Sequence, residues 1–204
     1  METPQPAWII KSAKDEGEVE QVYTFAKTVL GDFPRSMEYY LKAWRQAPSL
    51  QVYAEIDGQV AGCCMGSIDD DHVLVGEVAV AESARRMGIG AAMLRRLEQE
   101  AAQLGQATLI LGARQVAEPF YLSAGFRPNL FIQVPCAGRL DDLKRINPGY
   151  PAVWEEDKGG WTRLMLALTR IDRALQTAYE KEFPGCATQT VFIKEIISSR
   201  YAIR

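Results

Sequence analysis

The chain has 204 residues, 48% of them hydrophobic and 24% charged, and its formal net charge is -3. These values are typical of a soluble globular protein, and the length favours one domain with an elaboration. The negative charge disfavours nucleic acid as a partner, because phosphate recognition requires a basic surface, and it suits a cationic ligand better.

Membrane, metal and disulfide features are not expected from the sequence. No apolar run is long enough to cross a bilayer, and residues 1–6 lack the basic start and apolar core of a secretory signal. The four cysteines have no metal spacing and cannot form a rich disulfide framework. The acidic run 69–71 is interpreted as a solvated loop. We therefore predict no bound metal, no membrane partner and a cytoplasmic location.

The first eighty residues alternate predicted strands and amphipathic helices. Apolar residues at three-and-four spacing indicate helices over 17–30 and 36–46, whose aromatic residues we assign to the core. Asp57-Gly58 is a strong hairpin signal between two strand-like runs. The predicted strands cover 8–11, 51–56, 60–68 and 72–80.

The stretch from Glu77 to Leu94 predicts a strand, a tight glycine turn and a helix. Residues 85–90 read R-R-M-G-I-G, and glycine lets the backbone approach a ligand closely. A helix that starts there presents unpaired N–H groups and the positive end of its dipole, which suit a diphosphate. On these six residues alone, a turn that serves only packing is an equal alternative.

Further predicted elements follow the turn. The helix ends at Gly105, a strand covers 108–113, a short helix 118–124, and another strand 126–134. The short helix lies in the run A-R-Q-V-A-E-P-F-Y-L-S-A-G-F, residues 113–126. Beyond it we expect a long helix over 162–183 and a final strand over 188–197.

Two motifs in this order, a strand ending in A-V before R-x-x-G-x-G and a later F-Y-x-x-x-G-F, resemble the GNAT superfamily of acetyl-CoA-dependent N-acetyltransferases. The match covers residues 50–134. Arg86, Glu82 and Arg114 replace a common glycine, proline and asparagine of the family pattern. The resemblance implies an α/β (α+β) fold with a mixed, mostly antiparallel twisted sheet flanked by helices.

The resemblance also implies roles for individual residues, with acetyl-CoA as co-substrate. The pyrophosphate would lie on the turn formed by Arg85, Arg86, Met87, Gly88, Ile89, Gly90 and Ala91. The pantetheine arm would pair with the main chain of Val78, Ala79 and Val80, and Arg114 would contact it through its side chain. Glu77 would be the base and Tyr121 the acid. The alternatives are a solvent-facing or ion-paired Glu77 and a Tyr121 that only packs in the core.

These implications predict an N-acetyltransferase that moves an acetyl group to a primary amine by direct attack in a ternary complex. The acceptor would be a small molecule or a peptide, and the protein a monomer or homodimer. The alternative is an acyl-CoA-binding sensor without turnover. We expect an acetyl-CoA-binding core over 1–135, a helical insertion over 136–187 and a closing strand and tail over 188–204. Trp154 and Trp161 of the insertion would line the acceptor pocket, or the insertion would only thicken the core.

Overall fold

The computed structural model describes residues 8–196, which form two compact units. The N-terminal unit contains residues 8–110 together with 195 and 196, and the C-terminal unit contains residues 111–194. Each unit has a mostly antiparallel sheet and its own hydrophobic core.

The N-terminal unit is built from strands and three helices whose starts are encoded locally. The side chains of Asp15 and Ser36 accept hydrogen bonds from backbone N–H groups at the starts of α1 and α2. The elements are β1 (Ile9–Ser12), α1 (Glu16–Leu30), α2 (Met37–Gln46), β2 (Gln51–Ile56), β3 (Gln59–Asp69), β4 (His72–Val80), α3 (Ile89–Gln103) and β5 (Thr108–Gly112), within which the two units divide.

The sheet of the N-terminal unit carries helices on both faces. Strands β1 to β4 are antiparallel neighbours, and β5 joins β4 in parallel. Cys63 and Ala79 pack in one cluster with α1 and α2. On the other face, a Cβ built at Gly62 would lie 2.9 Å from Met93 of α3, so the missing side chain allows α3 to approach β3 closely.

The C-terminal unit is a smaller antiparallel sheet with three helices. Its strand order is β9-β6-β8-β7, and its core contains Leu130, Leu164, Leu166 and Tyr179. The elements are α4 (Glu118–Ser123), β6 (Arg127–Val134), α5 (Leu140–Ile146), β7 (Ala152–Lys158), β8 (Trp161–Ala167), α6 (Arg173–Glu182) and β9 (Ala187–Glu195).

The predicted class, a mixed α/β fold with a mostly antiparallel sheet flanked by helices, is confirmed. Every strand and helix predicted before residue 135 is present within two residues of its expected bounds. The predicted final strand is β9, which pairs antiparallel with β6, and position 197 lies outside the described residues. Within residues 8–196, none of the helices has both the length and the apolar composition that a membrane crossing requires.

The predicted long helix over 162–183 is wrong. Residues 136–187 contain the hairpin β7–β8 between the helices α5 and α6, and within 162–183 only the second half forms a helix, α6. The two halves differ because Thr162, Leu164 and Leu166 are buried at strand spacing, while Asp172 caps a new helix. The assignment of 136–187 as an insertion stays a prediction.

Candidate active site

The turn after β4 has the backbone geometry of an anion-binding loop. Arg86 and Gly88 both have positive φ, at 64° and 83°, which turns the chain sharply before α3 begins at Ile89. Gly88 occupies the cap position without a side-chain hydrogen bond, and the first turn of α3 has no acidic residue. The first N–H groups of α3 therefore keep their capacity to bind an anion.

The last part of β4, the strand before this turn, extends past the residues that pair in parallel with β5. The ladder with β5 joins three residue pairs, from His72–Thr108 to Leu74–Ile110. Val78, Ala79 and Val80 lie after it and pair with β3 on their other side. Their position suits the predicted pairing with an extended amide ligand.

A β-bulge in β4 directs Glu77 toward the helices α1 and α2. Val75 pairs with Gly66 and Val78 with Cys64, so two residues of β4 oppose the single residue Met65. Bulges of this kind redirect side chains. Gly76, the first bulged residue, touches α2 closely, because a Cβ there would lie 2.2 Å from the hydroxyl oxygen of Tyr40.

The Glu77 carboxylate is buried and only half satisfied. Its side chain is 6% exposed, and its Oε1 lies 3.6 Å from Nη1 of Arg35. The other oxygen, Oε2, is buried without a hydrogen-bond partner, as is the hydroxyl of Tyr40. Burial raises the pKa of Glu77 above its usual value, and the nearby Arg35 guanidinium opposes that rise. Because Oε2 has no hydrogen-bond partner and belongs to a partly desolvated carboxylate, it is suited to accept a proton.

Tyr121 lies in the C-terminal unit, on α4. It is 7% exposed, and its ring centroid is 5.8 Å from those of Phe126 and Phe192. These contacts fix the direction of the ring. Arg114 is exposed in the same unit, just before α4, and its carbonyl accepts from the N–H of Ala117 at 2.8 Å.

The predicted site residues therefore form two sets. The N-terminal unit brings together Glu77, the main chain of 78–80 and the turn 85–91, while the C-terminal unit holds Tyr121 and Arg114. The sequence did not reveal Arg35 or the role of Tyr40, because an arginine before a helix cap and a tyrosine on an apolar helix face are ordinary features. Within residues 8–196, no three His, Cys, Asp or Glu side chains converge as metal ligands would.

The C-terminal unit also contains a polar cavity of about 280 Å³. Glu118, one turn before Tyr121 on α4, is buried there and pairs with Arg173. Neither Trp154 nor Trp161 lines this cavity. Trp154 contacts the ring of Phe131, and the guanidinium of Arg163 lies over Trp161. The cavity is lined by Ala113, Gln115, Glu118, Arg173, Gln176, Thr177, Glu180, Thr188, Gln189 and Thr190.

Comparison with known proteins identifies the class to which this fold and site belong. The profile of the acetyltransferase (GNAT) family matches residues 14–126, and the chain belongs to that family. It is an acyltransferase. An uncharacterised N-acetyltransferase of Methanocaldococcus jannaschii is 33% identical over 121 residues, which cover 57% of this chain and 74% of that protein.

Two solved structures have a similar fold. The superposition with Ard1 of Thermoplasma volcanium has a TM-score of 0.52 at 20% identity, and it covers 80% of this chain and 99% of Ard1. The superposition with the ribosomal-protein-S18-alanine N-acetyltransferase of Escherichia coli has a TM-score of 0.52 at 20% identity. It covers 81% of this chain and 97% of that enzyme. At these identities the likeness concerns the fold.

Proposed function

We propose that this acetyltransferase moves the acetyl group of acetyl-CoA to a primary amine by direct attack within a ternary complex. The observation that carries the proposal is the buried Glu77 carboxylate, one oxygen of which has no hydrogen-bond partner, on the strand that leads into the glycine turn. The acceptor is a small molecule or a peptide with a free amine.

The proposed cofactor site uses backbone groups for most of its contacts. N–H groups of residues 86–91 bind the pyrophosphate, and the dipole of α3 adds to their attraction. The main chain of 78–80 pairs with the pantetheine amides. Arg85 and Arg114 are exposed and add positive charge beside the phosphates and the arm. The bound acetyl-CoA supplies the thioester and its thiolate leaving group.

A base is needed because an alkyl ammonium is the wrong protonation state for attack. With a pKa of about 10.4, only about one amine in 2,500 is neutral at pH 7, which costs roughly 4–5 kcal/mol. Glu77 can remove this proton through Oε2, directly or through water. The new C–N bond forms as the C–S bond breaks, and the thiolate leaves with a proton from the Tyr121 hydroxyl. The second proton, which the nitrogen loses on becoming an amide, returns through water to the tyrosine, and the proton held by Glu77 passes to solvent. A positioned acid of this kind contributes about 10²–10⁴-fold.

The direct test is turnover with a panel of amines of different chemistry. The panel contains spermidine, glucosamine, a peptide with a free alanine N-terminus and lysine blocked at its α-amine. Acetylated product is detected by mass spectrometry, and CoA is separated by chromatography. We expect product with at least one member, and dependence on Glu77. Tight binding of acetyl-CoA with no product from any amine would instead support the binding-only alternative.

The Tyr121→Phe variant tests the proposed acid. We expect kcat to fall by roughly ten- to a thousandfold with little change in acetyl-CoA affinity, because the hydroxyl acts on the developing thiolate. The matched control is Tyr179→Phe, which removes a buried hydroxyl in the same unit that donates to the carbonyl of Leu143 at 2.8 Å. The control should keep its kcat. Equal rates for Tyr121→Phe and the wild type would assign Tyr121 to packing.

A further inference from the structure

Arg35 is held in place by contacts at both its backbone and its side chain. It lies in the segment between α1 and α2, directly before the cap residue Ser36. Its carbonyl accepts from the hydroxyl of Tyr23 at 3.3 Å. Its guanidinium lies 5.6 Å from the ring centroid of Tyr39, whose hydroxyl is hydrogen-bonded to Ser67 of β3 at 2.7 Å. These contacts hold the backbone of Arg35 and place its guanidinium near both Tyr39 and Glu77.

The surroundings of Glu77 offer little other compensation for a negative charge. From β3, the thiol of Cys63 faces the Glu77 carbonyl, and burial raises the pKa of this thiol to about 12, so it is neutral. From α2, the Tyr40 hydroxyl reaches the bulge at Gly76, and this group supplies no positive charge. Among residues 8–196, Arg35 is the cation that forms an ion pair with Glu77.

An isolated buried carboxylate takes up a proton unless a cation is close to it. The Arg35–Glu77 contact is one-sided, since Nη1 approaches Oε1 while Oε2 stays without a partner. A guanidinium that engages only one oxygen favours the ionised form and leaves the other oxygen able to accept a proton.

We propose that Arg35 is the positioning residue for the base: its guanidinium favours the ionised form of Glu77 in its buried site and holds Oε1, so that Oε2 faces the acceptor amine. This inference rests on the proposed role of Glu77. Arg35 itself does not touch the reacting atoms. The proposal assigns a function to the segment between α1 and α2 that the family motifs do not include.

The first test measures the ionisation of Glu77 in the unliganded protein, without any acceptor. Carbon-13 NMR of glutamate side chains follows each carboxyl with pH, and the Glu77 resonance is assigned by its loss in Glu77→Gln. We expect the pKa of Glu77 to move upward in Arg35→Gln, because the opposing positive charge is gone and burial remains. Arg35→Lys should keep most of the wild-type value.

The second test compares pH profiles of kcat/KM, with the best acceptor of the amine panel. In Arg35→Gln, the acid limb should move to higher pH, with a loss on the order of tenfold or more at the acid end and a smaller loss at high pH. Arg35→Lys should restore the profile. The control Lys42→Gln removes an exposed cation from α2 and should leave the profile unchanged.

The two measurements separate the failure of this inference from the failure of the proposed function. An unchanged Glu77 titration in a folded Arg35→Gln protein overturns the role of Arg35. A lower rate with an unshifted pH profile also overturns it, since that pattern reflects a structural role alone. If instead Glu77→Gln keeps the wild-type pH profile, Glu77 is not the base. The proposed catalytic role of Arg35 is then wrong as well, even if the pKa of Glu77 moves in Arg35→Gln.

Discussion

Glu77 enters the folded protein at an electrostatic cost. Because burial outweighs the nearby Arg35, its pKa in the folded state is raised. The folded state then binds the proton more tightly than the unfolded chain, so the contribution to stability is fully present below the unfolded pKa and is lost as pH rises through the folded pKa. The wild type therefore carries this cost at neutral pH.

The Glu77→Gln variant tests whether Glu77 destabilises the folded protein at neutral pH. We expect it to have a higher Tm than the wild type at pH 7 and a smaller advantage near pH 4, because the cost linked to the raised pKa is absent below the unfolded pKa. Thermal melts at both values measure the difference. The control is Glu82→Gln, whose carboxylate is exposed after β4, and it should show no comparable gain. A lower Tm for Glu77→Gln at pH 7 would mean that the ion pair outweighs burial.

At the same scale, the sequence predicted those site residues that a motif marks. Gly88, Gly90 and Tyr121 stand at fixed distances from other motif residues, so their assignment needs no three-dimensional information. Arg35 is different, since it reaches Glu77 from 42 positions earlier in the chain only because α1 and α2 cover one face of the sheet. No local pattern carries that contact.

Helix α3 has a glycine with positive φ at each end, which allows a matched comparison. Gly88 precedes the helix with φ 83° and Gly105 follows it with φ 77°, and a Cβ at either would meet nothing within 4 Å. A valine at either site therefore suffers similar backbone strain, and its Cβ has free space at both. Only the first site lies at the proposed phosphate turn.

We expect acetyl-CoA to raise the Tm of the wild type, with a stabilisation of about 2.7 kcal/mol at a hundredfold over its Kd. Gly88→Val should abolish this shift, because the N–H groups of the turn can no longer adopt the anion-binding arrangement. Gly105→Val should be destabilised similarly yet keep the shift. Thermal melts with and without acetyl-CoA measure both. An undiminished shift in Gly88→Val would remove the assignment of the turn.

The wrong long helix shows where element prediction from sequence fails. Leu164, Leu168, Leu175 and Tyr179 fit a helical repeat across two different elements, and the strand alternation 162-164-166 was hidden within it. The stronger signal was Gly159-Gly160. Both have positive φ, at 63° and 78°, as a two-residue hairpin turn requires. A glycine pair between strand-length runs should outweigh a short helical match.

The molecule as a whole carries four free cysteines, two in each unit, at very different depths. Cys63 and Cys64 are buried in β3, and burial raises the pKa of both thiols. Cys136 is exposed, and Cys186 is half-buried with its pKa raised to about 11. Since the thiolate is the reactive form, reactivity should follow exposure.

We expect Cys136 to react first with a thiol-alkylating reagent, Cys186 more slowly, and Cys63 and Cys64 together only when the N-terminal unit opens. Saturating acetyl-CoA should slow the last two by about a hundredfold at a hundred times its Kd, provided that the open form does not bind it. Mass spectrometry after timed alkylation measures each site. Reaction of Cys64 as fast as Cys136 would contradict the burial of β3.

At this scale the sequence predicted the class of fold, because the order of the two motifs is tied to one arrangement of strands. It did not predict the division into two units. That division falls between Ile110 and Leu111, inside β5, where the sequence shows one continuous apolar run. The boundary depends on the tertiary contacts of β5, and these contacts cannot be predicted from the composition of the strand.

The contact between Gly76 and Tyr40 restricts the order in which the sequence can change during evolution. A side chain at position 76 and a hydroxyl at position 40 would need the same space, since the Cβ would lie 2.2 Å from the oxygen. An alanine at 76 is therefore accessible only after Tyr40 has lost its hydroxyl, for example as phenylalanine. As long as the tyrosine is present, a glycine at 76 is favoured, and the bulge that presents Glu77 is favoured with the pair.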